Sequence, residues 1–317
     1  MINLIWRNNR VRRFEIQKNA WKTLKKRIET TTSRTAKWTC LCRAISSLEK
    51  NQCYRCDDRI ALSLLPGFMQ LLIRIPYTGR LFLRIAAAKG IYEYVIARTK
   101  YIDAVFRQSL SDRVSQILIF GAGFDTRALR FQDEARQTRI FELDAAATQD
   151  AKIGQYQKRH LSIPPGVVFV SIDFDQESFP LLLERAGFKR DKKSLFILEG
   201  VLMYLQPQSV DQTLQTIKDL SPTGSEIVFD SIYASVLRHE NLYYGEKSMV
   251  ASVEKAGEQW HFGIEKGEIV QFLSGYGFEL HDHMNNCDLE EVYFKDPSEK
   301  TVGRVNGTHC LTRAVRA

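Results

Sequence analysis

The stretch QILIFGAGFDTRALR, residues 116–130, constrains the fold of this chain more than any other. Its continuous apolar run, Ile117 to Phe120, reads as a strand buried on both faces, as in the interior of a parallel sheet. The run breaks at Gly121-Ala122-Gly123 and continues in residues that can start a helix. Two glycines let the backbone turn sharply and bring its N–H groups close to a ligand, because no Cβ stands in the way. In open α/β sheets, such a turn at the carboxyl end of a strand is where nucleotides and nucleosides bind.

The chain after this turn repeats the strand-then-helix pattern. A second strand, Thr138 to Leu143, ends in Phe141-Glu142-Leu143-Asp144, about 20 residues past the turn, where an acidic side chain can hold a ribose hydroxyl pair. Glu142 and Asp144 share strand parity, so either can serve, and Asp144 can equally cap the following helix. A third strand from Val167 closes on Asp173, a fourth (Leu195 to Leu198) on Glu199, and a fifth (Glu226 to Phe229) on Asp230. Helical stretches fall at 146–159, 179–186 and 207–220, which predicts an α/β fold. Beyond Ser231 an aromatic-rich segment suits a substrate lid, followed by a helix over 263–275 and a final strand pair, 277–282 and 308–314.

Carboxylates at successive strand ends suit hydroxyls and amines and repel a pyrophosphate. A ligand carrying a sulfonium, an ammonium and a ribose would be drawn in. Thr126 stands where a dinucleotide fingerprint has its third glycine, which speaks against a nicotinamide-dependent oxidoreductase, the competing enzyme class. A third reading is a non-catalytic cofactor-binding module.

The formal charge of +8 does not indicate nucleic-acid binding, because residues 1–30 hold nine Lys/Arg against two Glu and the remainder is near neutral. In that extension Phe14, Trp21, Leu24 and Ile28 lie near one helical face. This suits either peripheral contact with an anionic membrane or a solvated tail. Six cysteines are too few for a disulfide scaffold, and Cys40-x-Cys42 cannot chelate from a helix, so no metal site is expected. The N-terminus lacks a secretory pattern, and Arg74, Arg80, Arg84, Pro66 and Pro76 interrupt the most apolar region, Ile60 to Ala88. A cytoplasmic location is therefore expected. Within the helical region 58–107, Arg98 sits in an apolar stripe of Ile91, Val95, Ile102 and Val105. It must find an anion, either a ligand or an internal carboxylate such as Asp103 or Asp112.

The segments ILIFGAGFDTRALRF, FELDAAATQDAK, SIDFD and FILEGVLMYLQPQ, in this order, resemble the leucine carboxyl methyltransferase-like family of class I S-adenosylmethionine-dependent methyltransferases, which includes polyketide O-methyltransferases. The resemblance runs from about Thr31 to Asp230, including Thr35-Ala36 and Arg43-Ala44, and thins where such enzymes choose their substrates. It implies a doubly wound, mostly parallel, seven-stranded sheet. The expected divisions are a basic extension (1–30), a helical cap (31–110) and a core (111–317) with a variable substrate segment at about 231–265.

The resemblance also implies S-adenosyl-L-methionine as cofactor. Arg98 and Arg43 would take its methionine carboxylate, Gly121, Ala122, Gly123 and Asp125 would line the cleft, and Asp144 or Glu142 would hold the ribose. Asp173 and Phe174 would flank the adenine, with Glu199 near the amino group. The acceptor would be a hydroxyl or carboxyl of a small or carrier-bound metabolite, with protein C-terminal carboxyl methylation the narrower alternative. A phenol or alcohol acceptor needs a base, whereas a carboxylate does not. The candidate bases are His261, His239 and Glu240, with Tyr204 as a positioning group.

Overall fold

The computed structural model describes residues 33–75, 78–172 and 179–317. The basic extension, Asp173 and Phe174 lie outside the described residues. Among the described residues five helices come first: α1 (Arg34–Ser46), α2 (Arg59–Leu64), α3 (Gly67–Arg74), α4 (Thr78–Ala86) and α5 (Ile91–Ser111). The sheet follows as β1 (Gln116–Phe120), β2 (Arg139–Asp144), β3 (Val167–Ser171), β4 (Ser194–Leu198), β5 (Glu226–Ile232), β6 (Phe278–Met284) and β7 (His309–Arg316). Between the strands lie α6 (Arg127–Arg130), α7 (Ala146–Lys158), α8 (Phe179–Arg185), α9 (Pro207–Leu220), α10 (Ala234–Leu237), α11 (Glu246–Ala256), α12 (Ile269–Gly275) and α13 (Asn286–Tyr293).

The strands form one seven-stranded sheet in the order β3-β2-β1-β4-β5-β7-β6. The first five are mutually parallel, and β7 runs antiparallel between β5 and β6. This is the doubly wound, mostly parallel fold expected from the sequence. The order reverses at β1 and β4, so a crevice lies outside their carboxyl ends. β1 is buried on both faces. Ile117 and Ile119 pack with α1, α2 and α5 on one side, and Leu118 and Phe120 with α8 and α9 on the other, as the two-residue period of a strand requires.

Two expectations change in detail. β5 runs through Asp230 instead of stopping there, so this carboxylate belongs to the sheet interior. The segment past Ser231 contains α11, bounded by Gly245 and Gly257 in the left-handed region, and α13, which opens with a reciprocal Asn285–Asp288 capping box. Among the described residues no helix is long and apolar enough to cross a membrane.

Phe196, fully buried in β4, lies between Phe120 and Phe188, each 6.4 Å away between ring centroids. Phe196→Ala should cost about 3–5 kcal/mol, read as a lower urea midpoint at an unchanged slope.

Candidate active site

The backbone after β1 takes positive φ at Gly121 (59°) and Gly123 (47°). A Cβ on Gly121 would lie 2.9 Å from Val201 Cγ2, and one on Gly123 3.0 Å from the Ala36 Cβ, so α1 sits directly on the turn. The Gly123 N–H donates to Asp144 Oδ2 at 2.5 Å, and the Ala145 N–H to Asp144 Oδ1 at 2.7 Å. Asp144 thus ties the end of β2 to the glycine turn while staying partly exposed.

A buried ionic network adjoins this turn. Arg98 on α5 donates from Nη1 to Asp230 Oδ2 at 2.7 Å, and its Nε lies 3.0 Å from Glu199 Oε1. Arg127 reaches Glu199 (2.7 Å), Asp125 (2.5 Å) and Asp103 (2.8 Å). Arg130 pairs with Asp103, and Arg43 with Asp58 at 2.8 Å while donating to the Phe124 carbonyl at 2.6 Å. Five carboxyl groups therefore face four guanidiniums. Burial alone would push Glu199 up, but Arg127 and Arg98 outweigh it and hold its carboxyl below the usual range. Asp125, resisting the same burial, is drawn down to about 2, chiefly by Arg127.

These contacts bear on several expected roles. Arg98 and Arg43 have internal carboxylate partners, and Glu199 has two internal guanidinium partners, so a ligand reaching any of them would share it with the network. Glu142 is only 1% exposed and lies 2.5 Å from Lys152 Nζ. Burial pushes its carboxyl up to about 7 against the pull of Lys152. Its place is in sheet–helix packing, which leaves Asp144 as the accessible acid at the end of β2. The His261 backbone N–H donates to the Met203 carbonyl, while His239 and Glu240 are exposed, and none of the three lines the cavity described next. Tyr204 does line it; burial, then Glu258, pushes its phenol up.

The cavity, of about 260 Å³, opens beside Arg98 and Gly200. Its wall is mostly apolar, with Trp38, Val95, Met203, Met249 and Trp260, and its polar groups include Arg34, Thr35, Arg98, Glu258 and His309. Glu258 accepts a hydrogen bond from the Thr35 hydroxyl. Sequence reasoning did not single out Glu258, or His309 at the start of β7.

The antiparallel register sets His309 opposite Ile232 and on the same face as Asp230. The ring stacks on Tyr94 at 4.4 Å and meets Trp260 edge-on at 5.4 Å. Its tautomer follows from a chain of bonds. Asn306 Nδ2 donates to the Lys89 carbonyl (2.8 Å), leaving Oδ1 to accept from the Thr308 hydroxyl (2.5 Å). That hydroxyl can then only accept from His309, 2.7 Å away, so Nδ1 carries the proton and Nε2 keeps a lone pair. Burial, the largest cause, lowers the ring's pKa to about 4, with Asp230 opposing and Arg98 assisting.

Residues 36–218 match the family of proteins described as "Leucine carboxyl methyltransferase". The chain belongs to the leucine carboxyl methyltransferase family. Two family-like relatives carry the name "Putative S-adenosyl-L-methionine-dependent methyltransferase". YktD of Bacillus subtilis is 28% identical over 202 residues, covering 63% of this chain and 66% of that one. A Streptomyces avermitilis protein is 28% identical over 189 residues, covering 60% and 63%. The matched region thus spans just under two thirds of each relative. The crystal structure of a duf574 family protein from Streptomyces avermitilis has the same fold, with a TM-score of 0.56, 14% identity and coverage of 92% of this chain and 99% of that one.

Arg98→Ala leaves Asp230 and Glu199 short of a buried countercharge and should cost about 3–5 kcal/mol of stability, measured by denaturant unfolding. A second expectation concerns pH. Folded His309 protonates only at about 4, whereas an unfolded histidine does so near 6.5. Between these values the unfolded chain binds the extra proton, so this group's contribution to stability is lost as pH falls from about 6.5 toward 4. His309→Phe removes that component, and its stability should fall less steeply than the parent's over the same window.

Proposed function

We propose that this chain is an S-adenosyl-L-methionine-dependent O-methyltransferase whose acceptor is a hydroxyl on an apolar small or carrier-bound molecule. The cofactor part rests on family membership, the named relatives and the fit of the crevice. A glycine turn that a Cβ would obstruct, with Asp144 and Glu199 at the ends of the two strands that flank β1, suits a ribose and an ammonium and offers no cradle of cations for a pyrophosphate. The five-to-four excess of carboxyl groups favours a cationic ligand. Gly121, Ala122 and Gly123 would line the ligand, Asp144 would hold its ribose and Glu199 its amino group. When bound, this group supplies a methyl already activated by a sulfonium. Asp173 and Phe174 lie outside the described residues and stay as adenine-flanking candidates.

The observation that carries the acceptor reading is His309 in the cavity wall, its Nδ1 bonded to Thr308 and its Nε2 therefore the ring's remaining acceptor, with the Glu258 carboxylate as a second acceptor. Both welcome a hydroxyl donor. Glu258 opposes a carboxylate acceptor, whereas the exposed Arg34 in the same wall would attract one and Arg98 is already shared between Asp230 and Glu199, so the preference for a hydroxyl rests on His309 and protein carboxyl-terminal methylation is the alternative. With the methyl donor bound, the acceptor hydroxyl would donate to Nε2, and His309 or Glu258 would take its proton as the oxygen receives the methyl that the donor supplies. Thr308 and Asn306 hold the ring in the receiving tautomer, and the apolar wall excludes water.

Calorimetry should give tight adenosylhomocysteine binding and none for NAD; the reverse result would return the oxidoreductase reading. With labelled cofactor, a phenol should be methylated in preference to the carboxylic acid of the same skeleton, and the opposite preference would overturn the acceptor class. His309→Phe keeps an aromatic ring on Tyr94 and should lower kcat by about 100-fold or more with adenosylhomocysteine affinity unchanged.

A further inference from the structure

Among the described residues, seven of the thirteen exposed large apolar side chains belong to residues 67–86. On and just past α3 these are Phe68 (74% exposed), Leu71 (71%), Leu72 and Ile75; on α4 they are Leu81, Phe82 and Ile85 (79%). The inner faces are ordinary core: Ile73 and Leu83 are buried, and Gly79 lets α4 approach Ile45, whose Cγ2 would lie 3.0 Å from a Cβ there. These helices are therefore apolar on the side facing solvent as well as on the side facing the protein. Patches of this kind on soluble chains mark interaction surfaces.

The charge pattern selects the partner. No Asp or Glu occurs between Asp58 and Glu93, while Arg59, Arg74, Arg80, Arg84 and Lys89 do. Arg59, Arg74 and Lys89 are exposed, and Arg80 is held by Glu49. A second copy of the chain would bring Arg74 against the same basic rim, and residues 1–30, with nine Lys/Arg and two Glu, would meet like charge as well. An anionic lipid surface accepts the apolar side chains and the cationic rim together.

We infer that the outer face of α3 and α4 is a membrane-docking surface that inserts Phe68, Leu71, Leu81 and Ile85 into the interface of an anionic bilayer. The face adjoins the cavity. Phe82 lies 6.2 Å from Trp38 between ring centroids, and Trp38, Ala86 and Ala87 line the cavity wall. A lipid-dissolved apolar acceptor would thus enter beside the docking face. That entry route rests on the acceptor reading above, whereas the docking does not, and the binding assay below is independent of methyl transfer.

The test is flotation of the full chain with vesicles of phosphatidylcholine alone or of phosphatidylcholine with phosphatidylglycerol, using the parent and a Leu71→Asp/Ile85→Asp variant. Both positions are exposed, so the variant should keep the parent's circular dichroism and Tm. The parent should float with the anionic vesicles and much less with the neutral ones, and the variant's partition should fall about ten-fold or more. Partition of the variant equal to the parent's would overturn the proposal, whatever residues 1–30 do. So would sedimentation showing a dimer of the parent that the two aspartates split, since the face would then belong to a second copy.

Discussion

Glu199 at the end of β4 sits between two guanidiniums, Arg98 from the helix before the sheet and Arg127 from the helix after the glycine turn. Each of these groups is almost fully removed from water. Ions so placed persist only with partners, because a carboxylate or guanidinium in a low-dielectric interior loses more hydration energy than one imperfect contact returns. The contacts therefore come as a set. Asp230 completes Arg98, and Asp125 and Asp103 complete Arg127. The set joins α5, the turn after β1, and the adjacent strands β4 and β5. Gly200 follows the same logic: its N–H donates to Asp230 Oδ1 at 2.5 Å, and a Cβ there would already touch Arg98 Nη1. The rigid floor between crevice and cavity is an electrostatic construction.

What was readable in the sequence were features set by neighbours along the chain. The apolar run of β1, the glycines at its end and the acids closing the next strands each follow from local spacing, and the sheet assembles around them. The parity argument for Glu142 and Asp144 was sound as far as it went. It missed that Lys152, ten residues on, turns back from α7 to claim Glu142, which a strand pattern does not encode. The partner of Arg98 was further out of reach. Asp230 lies 132 residues away, and only the β4–β5 pairing brings it beneath α5. His309 went unnoticed because a single histidine in a strand has no local signature; its role arises from the register with β5 and from Asn306 and Thr308 fixing its tautomer. Two helices past Ser231, α11 within the variable segment and α13 beyond it, escaped for the opposite reason. The glycines at 245 and 257 were visible, but the aromatic residues around α11 drew the reading toward a substrate lid, and the Asn285-x-x-Asp288 box fell between two expected strands.

The N-terminal helix shows why a short pattern can carry structural weight. Ala36 and Arg43 are seven residues apart, two turns of α1, and so share a face. That face lies on the glycine turn: Ala36 approaches Gly123, and Arg43 donates to the carbonyl of Phe124, the next residue. A larger side chain at 36 would lift the helix from the turn, and loss of Arg43 would free Asp58 and release the helix at its buried end. Thr35, Trp38 and Thr39, on the flanks of the same helix, line the cavity, and Trp38 also meets Phe82 of the exposed face. Arg43 thus matters to the crevice as a positioning anchor: held to Asp58 and to the turn, it fixes the helix whose other flanks line the cavity and back the apolar face. The crevice, the cavity and the outer surface share one rigid element, and a displacement of α1 by a fraction of an ångström would be felt at all three.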